Sequence, residues 1–252
     1  MYIALNTMKL THLFLFITLS PAFLSPLFAD AQKPAVFLPD DELVLWCIDT
    51  RPPLVIIDKP VKPKLPGIQI CDQVWMEKNL DVARYRNGDR IPNVTDTSKW
   101  NNLTTGAYCY YKNDSARYAA IYGKLYNWYA VNDARGLAPT GWHIPSIEEW
   151  TAIETCLIDT SAVGGALKQT GTAYWASPNK GATNSTSFKA LPGGFRDYDG
   201  TFYFVGKFGY WWSSTAYYTW YAWARSLKYF DEFIGRDGYK KQNGFSVRCL
   251  RD

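Results

Sequence analysis

The stretch PTGWHIPSIEEW, residues 139–150, constrains the fold of this chain more than any other. Ser146-Ile147-Glu148-Glu149 is a capping box: the Ser146 hydroxyl accepts from the N–H of residue 149, and the Glu149 carboxylate reaches back to the N–H of residue 146. A helix therefore starts at Ile147. Ile147, Trp150, Ile153 and Leu157 recur at the spacing of one buried stripe and predict that it runs over about 147–158. Glu148, in the first turn, suits the positive end of the helix dipole. Ser146, Glu149 and Trp150 are thus read as structural. His143, between Trp142 and Ile144, is expected to be packed and hydrogen-bonded, not catalytic.

A second apolar stripe, Ile121, Leu125 and Trp128, predicts a helix over about 116–131 capped by Asp114 or Ser115. Gly136 and Pro139 break the loop over 132–140. IQICDQVWM (68–76) reads as two short strands about a turn at Asp72-Gln73. Further on, TFYFV (201–205), GYWWSST (209–215), WYAWARSL (220–227) and GFSVRCL (244–250) read as strands between turns rich in glycine, asparagine and serine. Helices followed by strands make an α+β fold. The chain carries 11 Trp, 18 Tyr and 13 Phe, 17% of its residues, so it needs a large aromatic core, an aromatic-lined surface, or both.

The N-terminus reads as a secretory signal peptide over residues 1–31. Lys9 precedes the uncharged run LTHLFLFITLSPAFLSPLFA, and Ala29-Asp30-Ala31 is the small-x-small pattern of a cleavage site. Met8-Lys9-Leu10 is itself a typical signal start, so Met1 and Met8 both stand as initiators. Pro21 and Pro26 interrupt the run and argue against a membrane anchor, and no other stretch is apolar enough to span a bilayer. Residues 32–66 form an extended segment in which LVLWCI (43–48) and LVII (54–57) flank TRPP; both runs are expected to pack on the main domain. Pro60, Pro63 and Pro66, interleaved with Lys59, Lys62 and Lys64, then make a polyproline II linker. Residues 67–252 read as one domain. Export permits disulfides. The five cysteines, Cys47, Cys71, Cys109, Cys156 and Cys249, include no CxxC pair, so zinc and thioredoxin-type chemistry lack their usual spacing. Their odd number leaves at least one thiol free or joined to another chain.

The net charge of +4 is scattered, with no basic run to track a phosphate backbone, and nucleic acid is excluded as a partner. With the signal removed His143 is the sole histidine, so a two-histidine metal site cannot be built, and no GxSxG elbow is present. Asp197 and Asp199 in RDYDG have the every-second-residue spacing of a calcium loop but lack the remaining ligands of an EF-hand. A turn is expected there; no cofactor or metal ligand is assigned, and a weak loop-bound calcium ion is left open. Side chains alternate along a strand, so Trp211, Trp212, Tyr217, Tyr218, Trp220 and Trp223 place rings on both faces. One face must be core. The other is either buried under loops or an exposed platform of the kind that stacks sugars, with Arg225, Asn184 or Asp199 supplying hydrogen bonds.

The ordered succession QVWMEKNLDV, CYYKND, YGKLYNWYAVNDARGLAPTGWHIPSIEEW, GGALKQTG, WASPNKGATNSTSFKALPGGFRD, GTFYFVG, GYWWSST and KQNGFSVRCLRD resembles the Fibrobacter succinogenes major paralogous domain over about residues 67–252. The resemblance implies an exported protein of Bacteroidetes or their relatives, in the periplasm, on the outer surface or outside a Gram-negative cell. Many members are lipid-anchored; this chain has no cysteine after the small residues of its signal. More distantly, GWHIPSIEEW with the later GYWW and GFSVRC resembles the formylglycine-generating (sulfatase-modifying-factor) and C-type-lectin-like fold. That implies two helices beside small twisted antiparallel sheets and long loops. Catalytic members use a closely spaced cysteine pair, and residues 209–230 hold no cysteine; the Glu-Pro-Asn and Gln-Pro-Asp loops of calcium lectins are missing too. A non-enzyme is therefore expected. Cysteines stand in the family pattern where Cys109 and Cys249 do, which implies a bridge between these two, while Cys71 and Cys156 are particular to this chain. The expected function is an exported recognition module for a glycan or a surface protein. The alternative is an assembly subunit of a surface appendage joined through residues 32–66; a hydrolase or redox enzyme using His143 or an unpaired cysteine ranks third.

Overall fold

The computed structural model describes residues 66–157 and 162–252. The signal peptide expected over 1–31, the segment expected over 32–66 (Pro66 apart) and Cys47 lie outside the described residues. The described residues open with a hairpin, β1 (Gly67–Ile70) and β2 (Gln73–Met76), around the turn Cys71-Asp72. Helix α1 (Thr97–Asn101) and strand β3 (Tyr108–Cys109) precede α2 (Ser115–Tyr122), β4 (Leu125–Tyr126), α3 (Trp128–Val131) and β5 (Trp142–His143). Helices α4 (Ile147–Cys156) and α5 (Val163–Leu167) follow. The rest is strand and loop: β6 (Phe195–Arg196), β7 (Phe202–Tyr203), the long β8 (Phe208–Tyr218), β9 (Tyr221–Lys228), β10 (Gly235–Lys240) and β11 (Leu250–Arg251). The architecture is α+β, with four small antiparallel sheets in the orders β1-β2-β11-β5, β10-β9-β8, β3-β4 and β6-β7.

Helix α4 begins as its capping box dictates. The Glu149 N–H donates to Ser146 Oγ at 3.2 Å and the Ser146 N–H donates to Glu149 Oε2 at 2.7 Å. Ile147, Trp150 and Ile153 are buried, and the Trp150 ring meets Trp75 with centroids 4.6 Å apart. The helix expected over 116–131 is instead two helices with a strand between them. Asp114 caps α2, accepting from the Arg117 N–H at 3.0 Å, but Gly123 at φ +72° ends it; a Cβ there would meet the Leu80 carbonyl at 3.0 Å. Ile121 consequently points outward, Leu125 enters β4 and Trp128 opens α3. Two expected helices thus become five among the described residues, three of them only four or five residues long.

GFSVRCL, expected as one strand, is a strut between sheets, and only its end joins β11. Gly244 exchanges backbone hydrogen bonds with Arg196 of β6, and Phe245 does so with Tyr126 of β4. Ser246 donates to Tyr210 and accepts from Trp212, both in β8, and the Cys249 carbonyl accepts from Met76 of β2. One segment thereby satisfies backbone groups in all four sheets, and its odd-numbered side chains Phe245, Val247 and Cys249 fill the core with Trp212 and Tyr126.

The bridge implied between Cys109 and Cys249 is not formed. Cys109 lies in a core cluster with Trp100 and Leu125, Cys249 in another with Met76 and Trp142, and both thiols are free. Burial pushes each up to about 12, so both stay protonated and inert at neutral pH. The disulfide joins Cys71 in the first hairpin turn to Cys156 at the end of α4, their Cα atoms 6.4 Å apart and 85 residues apart in the chain. Closing so long a loop restricts the unfolded chain, and Cys71→Ser with Cys156→Ser is expected to lower unfolding free energy by about 2–4 kcal/mol in urea titrations. A loss below about 0.5 kcal/mol would show that the crosslink does not support the fold.

Interior cations are held largely by carbonyl oxygens. Arg196 donates to the carbonyls of Gly200, Val94 and Thr95 at 3.0, 2.6 and 3.0 Å, and its guanidinium lies 4.4 Å from the Trp100 ring centroid. Lys168 donates to the carbonyls of Lys180, Lys228 and Asp231 at 2.7, 3.0 and 2.7 Å, and burial brings its ammonium down to about 8. Each cation ties together carbonyls from segments distant in the chain, most of them in irregular loops.

Candidate aromatic binding surface

Residues of β8 and β9 alternate between two faces of the three-stranded sheet, with Trp212 opposite Ala224 and Trp211 opposite Arg225. The face with Tyr210, Trp212, Ala222 and Ala224 closes on the Phe245 core, and that with Trp211 and Leu227 closes on the core beneath α4. Both faces are covered along this half of the hairpin. Trp211 and Trp212 are therefore interior residues, not part of an exposed platform. The Trp211 Nε1–H donates to Asn79 Oδ1 and the Trp212 Nε1–H to the Tyr126 carbonyl, each at 2.9 Å. Arg225 is interior as well: it pairs with Glu154 and donates to Thr151 Oγ1 at 2.7 Å, tying β9 to α4.

Past Thr215, whose hydroxyl still accepts from the Ile147 N–H, the hairpin leaves the body of the domain. Its ladder is irregular between Trp212 and Ala216 and again before Tyr218, and the rings turn to solvent: Tyr218 is 66% and Trp220 64% exposed. Tyr217 lies with its centroid 4.2 Å from Tyr218 and 4.0 Å from the half-buried Trp223. The Arg236 guanidinium of β10 stands 4.5 Å from the Trp223 centroid. Gly238, paired with Trp223, makes this layer possible, because a Cβ there would collide with the Tyr217 ring. Lys241 fixes the tip by donating from Nζ to the Thr219 carbonyl at 2.9 Å. Tyr217, Tyr218, Trp220 and Trp223 thus form a strip of rings, and Arg236 continues it into a groove of about 550 Å³ along α4, lined by Ile147, Glu148, Thr151, Ala152 and Thr155.

Asp199 and Asn184 make turns. The Asp199 carboxylate accepts from the Thr201 N–H at 2.8 Å within the β6–β7 turn, and Asn184 Oδ1 accepts from the Lys189 N–H at 2.8 Å. Arg236 was not legible as a site residue, because GRDGYK lacks the apolar alternation that marks a strand. The signal that could have found it is the glycine two residues on, which in a strand marks the close approach of another group.

His143 uses both ring nitrogens, Nδ1 to Asp252 Oδ1 at 2.8 Å and Nε2 to Glu149 Oε1 at 2.9 Å. It is hydrogen-bonded as expected, though only half buried. Burial alone would lower its pKa, but the two carboxylates outweigh it and the net shift is upward. A folded pKa above the ordinary value of about 6.5 gives stability that is fully present below that pH and is lost as pH rises through the folded value. The expected result is that wild type loses slightly more stability than His143→Gln on going from about pH 6 to pH 8.5, the effect being small at a half-exposed pair. A pH-independent difference between the two proteins in thermal unfolding would contradict the linkage.

Among the described residues no group of three or more His, Cys, Asp or Glu side chains is placed to hold a metal ion, and no helix is long and apolar enough to cross a membrane. These features define an α+β domain of short helices and small antiparallel sheets that presents a strip of aromatic rings. The family model of the Fibrobacter succinogenes major domain matches residues 68–251, and the chain belongs to that family. Compared with curated proteins and with solved structures, the chain gives no match.

Proposed function

We propose that this protein is an exported, non-enzymatic recognition module that binds carbohydrate by stacking sugar rings on Tyr217, Tyr218, Trp220 and Trp223. The observation that carries the reading is the character of the exposed apolar surface. Ten of the eleven large hydrophobic residues exposed among those described are aromatic, and the most exposed two sit together at the β8–β9 tip. Tyrosine and tryptophan offer a flat apolar face with a polar edge, which suits the C–H face of a sugar with hydroxyls around it. Arg236 and Glu148 border the strip and groove and supply hydrogen bonds. Export is supported by the disulfide between Cys71 and Cys156 together with the signal-like N-terminus. The absence of catalysis is supported by His143, whose nitrogens are both engaged by carboxylates, and by the protonated interior thiols. We also read the fold as C-type-lectin-like, on the pairing of β2 with the terminal strand β11 and on the long loops that follow α5. Screening the purified protein on a glycan array tests the function: retention of a defined subset of oligosaccharides is expected, and an empty array would argue against it.

A further inference from the structure

A cavity of about 350 Å³ lies away from the ring strip, among the first hairpin, α2 and the loop before β6, and shares no lining residue with the strip or its groove. Its wall includes Arg248, which is 2% exposed and has no carboxylate partner among the described residues. Arg248 donates from Nε and Nη2 to Asn79 Oδ1 at 3.1 and 2.9 Å, and from Nη1 to the carbonyls of Phe188, Glu77 and Met76 at 2.6, 3.3 and 3.5 Å. A guanidinium has five N–H groups, so one on Nη2 is left over. Burial lowers the pKa of this arginine to about 9. A buried cation without a counter-ion is costly, and an anionic ligand would relieve that cost.

The rest of the lining has matching chemistry. Lys78 and Lys189 stand at the rim with Glu77 as the single carboxylate, so cations are in excess. Ser187 and Lys189 hold φ of +59° and +54° on either side of the fully buried Phe188, whose ring lies 4.2 Å under the Arg248 guanidinium. Left-handed backbone at two non-glycine residues costs on the order of 1 kcal/mol each, and both residues line the cavity. Tyr174 and Ile121 supply an exposed apolar wall, and Gln169 with Ser187 supplies neutral hydrogen-bonding groups.

We propose that this cavity binds a uronate-type saccharide unit, with the carboxylate at Arg248 between Lys78 and Lys189 and the sugar ring against Tyr174 and Ile121. The site stands independently of the ring strip. Isothermal titration of the full protein with D-glucuronate, D-glucose and sulfate tests it. Glucuronate is expected to bind, with glucose and sulfate each at least about tenfold weaker, and Lys78→Ala with Lys189→Ala is expected to weaken glucuronate by about tenfold or more without moving the unfolding midpoint. Arg248→Gln should abolish binding, but it also strips interior hydrogen bonds, so the exposed lysine pair carries the test. No binding of glucuronate, equal binding of glucose or of sulfate, or an unchanged affinity in the lysine variant overturns the proposal.

Discussion

Trp212→Ala is expected to lower the unfolding free energy by about 3–5 kcal/mol, a large part of the roughly 5–15 kcal/mol that holds an ordinary domain folded. The ring is fully buried, lies 4.4 Å from Phe245 and donates its N–H to the Tyr126 carbonyl. Truncation therefore leaves a void and removes one of the two hydrogen bonds that the Tyr126 carbonyl accepts. The damage falls where the strut of residues 244–250 meets β8, since the Trp212 N–H donates to the Ser246 carbonyl. Urea titration of the variant checks this, and a loss under about 1 kcal/mol would mean that the strut does not organise the core.

The opposite outcome is expected a few residues away. Tyr218→Ala with Trp220→Ala should reduce affinity for a retained oligosaccharide by about thirtyfold, near 2 kcal/mol, as expected for two exposed aromatic anchors. Stability should change by less than about 0.5 kcal/mol, because both rings are mostly in solvent and no hydrogen bond of their side chains supports the core. Phenylalanine at position 220 should restore part of the affinity, since it keeps a π-face. Trp212 and Trp220 share one hairpin, so separating stability from binding along it distinguishes a recognition surface from unburied core.

How much of this was legible in the sequence depends on how local the signal is. The start of α4 was readable because a capping box is complete within four residues, and Ser146 and Glu149 need nothing else to meet. The helix over 116–131 was misread because its stripe is helical in period while Gly123 adopts a positive φ that packing against Leu80 selects. Period alone cannot reveal that contact. The strand positions of β8 and β9 were legible, but alternation could not tell which half of the hairpin is covered on both faces, so Trp211, Trp212 and Arg225 were grouped with Tyr218 and Trp220. Coverage by α4 and by the 244–250 strut is tertiary information. The disulfide was misassigned for the same reason: family position pointed to Cys109 and Cys249, whereas Cys71 and Cys156 are brought together only when the first hairpin lies against the end of α4. The cavity around Arg248 left no sequence signal, since its lining comes from separate segments spread from Ile68 to Arg248.

The most direct measurement is a glycan array probed with wild type and with the Tyr218→Ala/Trp220→Ala variant at equal concentration, both checked for native unfolding. The expected result is a discrete set of oligosaccharides bound by the wild type and lost, about thirtyfold weaker, in the variant. Binding that survives loss of both rings, or a wild type that retains no glycan at all, would contradict the assignment of the β8–β9 tip as the recognition surface.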